Sequence, residues 1–157
     1  MTEMWEIQEV AVGLLEAVTE FADIGDAILA DDGSYPETAG RENALRTLGV
    51  SIVVSIIGEP SPDLLDQALD GTAAISHPIT VWLDVRSTDT FSLDTLQAEA
   101  AKFIYYIEVA LSGKPNAESA NHLVFQLKTP PYLPAGKFGG DIRYGIFFWV
   151  NSIVTPS

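Results

Sequence analysis

GVSIVVSIIGEPSP, from Gly49 to Pro62, is the stretch whose reading decides the fold. Seven of its first nine residues are glycine or aliphatic, and Val50, Ile52, Val53 and Val54 are branched at Cβ. Such residues favour a pleated, extended backbone. The Glu-Pro-Ser-Pro that follows is a stop signal. A strand with one wet face alternates apolar and polar residues, and this one barely does. It is therefore expected either to be buried on both faces or to lie against another subunit.

Working outward, PITVWLDVRS (Pro78 to Ser87) does alternate: Ile79, Val81, Leu83 and Val85 share one face, Thr80, Trp82, Asp84 and Arg86 the other. Residues 4–22 carry Ile7, Ala11, Leu14, Leu15, Val18 and Phe21 at helical spacing. A second helix is expected after Ser92 or Thr90, with Leu96, Phe103, Ile107 and Leu111 in its stripe and Gly113 and Pro115 as its stop. Ala27–Ala30, His122–Lys128 and Asp141–Val154 read as further strands, and Thr129–Gly140 as a Pro/Gly-rich linker. Ala44–Leu48 is either a helical turn or the approach to the next strand. The long connection Gly58–His77 is expected to be a hairpin loop, of a length that in compact domains tends to carry function. The order is α-β-β-β-α-β-β: one α+β domain over residues 1–157, a mostly antiparallel sheet with two helices packed on one face.

Composition narrows the function. The chain has 157 residues, 47% of them hydrophobic, enough for one domain with a sizeable core. No apolar run is long enough to span a bilayer, and the acidic start lacks the basic region of a signal peptide, so synthesis in the cytosol is expected. There is no cysteine, hence no thiolate metal site and no thiol nucleophile. Twenty-two acids against eight bases give a net charge of −14, and the first forty residues hold ten acids and no base. Such a chain does not grip nucleic-acid phosphates and is repelled by anionic membranes.

No stretch carries a catalytic signature. His77 and His122 lack a partner at metal-ligand spacing. Asp23, Asp26, Asp31 and Asp32 cluster without the calcium-loop order, and read as well as an exposed acidic turn. Gly136–Gly140 is no phosphate loop, because a strand follows it. A hydrolase working through Asp26 or Asp31 has no motif behind it. The aromatics are more telling: Trp82 stands on the polar side of its strand, and Phe147, Phe148 and Trp149 put bulk on both faces of another. Exposed apolar bulk of this kind marks an interface. The rival reading is a binding module that holds an apolar ligand between helices and sheet with Trp82, Tyr105, Tyr106 and Trp149.

The succession FADIGDAILADD, LGVSIVVSIIGEPSP, HPITVWLDVRSTDTF and LDTLQAEAAKFIYYIEVALSGKPN, ended by a strand pair, resembles the tail-terminator and minor-tail (tail completion) proteins of long-tailed phages and prophages. The resemblance covers roughly residues 4–154, in order and spacing of elements. It implies a structural protein without catalytic residues; no cofactor is expected. It implies a ring of identical copies, often six, that caps the tail tube and meets head-connector proteins. Such a protein assembles in the host cytoplasm and ends in the virion tail. Subunit contacts would fall on Gly49–Ile57, Pro78–Arg86 and the 58–77 loop; together with the exposed aromatics this nominates Val50, Ile52, Val54, Leu64, Leu65, Leu69, Trp82 and Phe148. The acidic balance would suit a channel through which DNA slides without adhering, with no sequence-specific binding.

Overall fold

The aliphatic run forms β2 (Val50–Ile56), and its surroundings account for its composition. In the computed structural model, residues 4–56, 61–63, 73–88, 96–111, 124–138 and 141–154 are described, with side chains for 7–56, 78–88, 98–111 and 141–150. Val50, Ile52 and Val54 pair with Val85, Leu83 and Val81 of β4 (Ala73–Arg86). Those in turn face Ile142, Tyr144 and Ile146 of β6 (Asp141–Val154). The stripe meets Ile7, Ala11 and Leu15 of α1 (Met4–Glu16) and Phe103, Ile104, Ile107 and Leu111 of α3 (Leu96–Leu111) in one core. The other face of β2, Ser51, Val53 and Ser55, is buried as well. Both faces are thus covered by the chain itself, and the weak alternation needs no second subunit.

Among the described residues the sheet has six strands in the order β1 (Ile28–Ala30)-β2-β4-β6-β5 (Val124–Phe138), with β3 (Ser61–Asp63) pairing to β4 beside that path. β1 (Ile28–Ala30) runs parallel to β2, and the remaining pairs are antiparallel. A parallel neighbour requires a crossover; the segment 31–40 and α2 (Arg41–Leu48) supply it. α2 ends on Gly49, whose φ of 75° only glycine adopts freely and whose N–H bonds the Leu45 carbonyl at 3.0 Å. Ala44–Leu48 is therefore helix, the end of an element longer than expected.

The α+β class and the helix-covered sheet match the expectation, and several boundaries move. The first helix stops at Glu16, and a 3₁₀ helix (Thr19–Ala27), broken by a kink at Ile24 where φ is −123° and ψ 22°, continues the chain. Its buried residues Phe21, Ile24 and Ala27 recur every third position, the period of a 3₁₀ turn. Within the stretch read as a 58–77 loop, β3 (Ser61–Asp63) pairs with Ala74–Ser76, so β4 begins earlier than Pro78. Residues 129–138, read as linker, continue the strand β5 (Val124–Phe138). Its three prolines are tolerated because β5 is an edge strand, and its register shifts where they cluster. Residues 90 and 92, the expected caps of α3, lie outside the described residues.

Candidate functional site

The nominated contact residues separate by strand parity. Val50, Ile52, Val54 and Phe148 are each 0% exposed and point into the helix-covered core. Phe148 pairs with Ile79, on the face opposite to the one expected for it. Burying each such side chain stabilises the single chain by about 1.5–3 kcal/mol, so none of the four is free to meet a partner. Leu64, Leu65 and Leu69 lie outside the described residues. Trp82 alone of the described candidates reaches the sheet's second face, where it remains partly exposed.

On that face the even positions of β4 meet the odd positions of β6. One end is a cluster of charge. Asp84, fully buried, accepts hydrogen bonds from Arg41 Nε at 3.1 Å, Arg143 Nε at 2.9 Å and the Tyr35 hydroxyl at 2.7 Å. Asp141 accepts from Arg86 Nη2 at 3.0 Å and Arg41 Nη2 at 3.4 Å, and Arg86 donates onward to both oxygens of Glu42. A buried carboxylate is tolerable only with such partners. Burial, then the Asp84 charge, push the Tyr35 phenol well above its ordinary range. The Arg86 fork holds the Glu42 carboxyl below its own.

The segment 31–41 brings Tyr35 and Arg41 here. Asp31 organises it: Oδ1 accepts from the N–H groups of Gly33 and Tyr35 at 3.0 Å and from Thr38 Oγ1 at 3.2 Å. Its other oxygen accepts from Ser55 of β2 at 2.8 Å. Asp32 accepts from Ser34. The acidic turn thus spends Asp31 and Asp32 on loop geometry, and Asp23 and Asp26 stand exposed on the 3₁₀ helix. Among the described residues no group of three or more His, Asp or Glu side chains converges on a metal position. The histidine side chains lie outside the described residues.

Beyond the charge cluster the face becomes aromatic. Tyr35 stacks on Trp82, centroids 5.2 Å apart and planes at 9°, with the Arg143 guanidinium 4.8 Å from the Tyr35 centroid. Trp82 pairs with Gly145, Thr80 with Phe147 and Pro78 with Trp149. The rings of Trp82 and Phe147 lie over Gly145: a Cβ there would sit 3.1 Å from an atom of each. Pro78, Trp82, Phe147 and Trp149 are all partly exposed, a shelf bounded by the arginines. Tyr105 and Tyr106 stand on α3, across the sheet from Trp82 and Trp149, so the four aromatics do not line one ligand pocket. Sequence reasoning passed over Tyr35, Arg41 and Arg143. The available signal was Asp84, a carboxylate in mid-strand that requires basic partners.

No family model matches this sequence, and no curated protein does. Among solved structures, a chain from one titled "Virion of native gene transfer agent (GTA) particle" matches with a TM-score of 0.60 at 16% identity, over 94% of this chain and 95% of that one. At that identity the two share a fold.

Proposed function

We propose that this chain is a non-catalytic structural component of a phage-like particle, a tail-terminator or neck (minor tail) protein that closes the tail tube as a ring of identical copies. The observation that carries the proposal is the end-to-end likeness to a virion chain, 94% of one covered by 95% of the other. The ring contact in this proposal is the shelf of Trp82, Phe147 and Trp149. Large aromatic rings of this kind are enriched at interfaces, tryptophan above all at their energetic centres. Tail-tube and head-connector proteins would be the remaining partners, met in the host cytoplasm before the chain enters the virion. The charge of −14 supports a channel that DNA traverses without sticking.

Light scattering after size exclusion, with electron microscopy of the same fractions, tests the reading. Rings are expected at high concentration or on addition of tail tubes, and Phe147→Asp with Trp149→Asp abolishes them while the monomer stays folded. A wild-type chain that neither forms rings nor binds tubes, or variant rings indistinguishable from wild type, would sink it.

A further inference from the structure

The helical layer, on the side of the sheet away from the shelf, carries a second surface of interest. α1, the 3₁₀ helix and α3 enclose an open groove of about 420 Å³, lined by Leu14, Val18, Glu20, Tyr105, Tyr106 and Val109 among others. Tyr105 is 61% exposed and Val109 47%, the two large apolar side chains that stand open among the described residues. The groove is held from below: Tyr106 meets Phe21 of the core edge-on at 5.9 Å, and Tyr105 meets Tyr106 at 5.7 Å. A preformed apolar floor costs a binding partner little ordering energy.

Glu20 is the charged residue on the groove's lining, and the elements that supply its first wall, residues 4–27, hold six acids and no base in their sequence. α3 adds Glu99, Lys102 and Glu108, and Lys102 already lies 3.4 Å from Glu99. Burial pushes the Glu108 carboxyl upward. We infer that this groove docks an amphipathic segment of another protein, apolar on the side that meets Tyr105 and Val109 and flanked by lysine or arginine. A second copy is a poor occupant, since the chain carries −14 and offers no base before Arg41. The inference goes beyond the ring contact and uses the other side of the molecule, so either can fail alone.

The test uses the whole chain and a labelled helical peptide with leucines on one side and lysines on the other, read by fluorescence anisotropy. A second peptide, with every lysine replaced by glutamate, is the comparison. The lysine peptide is expected to bind at least about tenfold more tightly than the glutamate one. Tyr105→Ser with Val109→Ser weakens it by about tenfold or more, and Glu20→Lys weakens it in the same direction. Both positions are exposed, so circular dichroism and the thermal midpoint of the serine variant should match wild type. Equal binding of the two peptides overturns the inference. Serine-variant binding equal to wild type does too, because the attraction is then bulk charge. So does a wild-type dimer that the serine substitutions dissociate, which makes a second copy the occupant, or tighter binding to anionic vesicles than to the lysine peptide.

Discussion

Asp84 and Thr80 stand on the same face of β4, on either side of Trp82, and they sit there for opposite reasons. Asp84 is the acceptor on which two arginines and a tyrosine converge. Asp84→Ala removes the shared acceptor and leaves guanidinium groups buried without their carboxylate. The expected loss is about 3–5 kcal/mol, read as a lower denaturant midpoint with unchanged slope. A loss below 1 kcal/mol would mean that Asp141 and solvent take over the arginines. Thr80 is also fully buried, but its hydroxyl has no hydrogen-bond partner among the described residues. Thr80→Val keeps the shape and the strand preference and removes an unpaired polar atom, so the chain should gain about 1 kcal/mol. A destabilised valine variant would show that the hydroxyl is satisfied after all.

Among the elements, the crossover 31–48 decides how the second face is finished, and Gly49 holds its end. The positive φ there costs any other L-residue about 1–2 kcal/mol. Gly49 also accepts a hydrogen bond from the Arg86 N–H at 2.8 Å, tying the helix end to β4. Gly49→Ala should therefore lower stability by about 1 kcal/mol and raise amide exchange in α2 before it does so in β2. Uniform loss of protection across both elements would contradict this local account. The same crossover marks the limit of what sequence could disclose. β4 and α3 were legible because their apolar periods are strong, β2 and β6 because β-branched and aromatic residues run together in them. α2 was half-hidden because a short, polar helix shows little apolar period, and β5 because its prolines read as loop until the strand is known to be an edge. Of the shelf only Trp82 was legible; Trp149 entered the sequence reading as part of a ligand pocket. The exchange of Phe147 for Phe148 followed from three consecutive aromatics, which leave strand parity undetermined until Ile79 and Val81 set the register. Tyr35 could not be placed, because its position depends on Asp31 bonding back along the loop and on Asp84 some fifty residues away.

For the whole molecule, two apolar surfaces on opposite sides of one strongly acidic body must respond oppositely to salt. Copies that met through the shelf, as in the proposed ring, would each carry −14, so their approach would be opposed by repulsion that added salt screens. The Debye length falls from roughly 30 Å at 0.01 M salt to about 10 Å at 0.1 M, so charge-charge repulsion between whole molecules is largely screened across this range. Ring formation is therefore expected to strengthen as salt rises over this range. Docking of a basic segment in the α1–α3 groove gains from the same charge, and is expected to weaken over the same range. Parallel titrations by light scattering and by anisotropy measure the two slopes. If both associations weaken with salt, the copies attract through complementary charge, and the arginine cluster beside the shelf, not its aromatic rings, is the contact. If both strengthen, the groove recognises apolar surface alone and its acidic wall plays no part in choosing the partner.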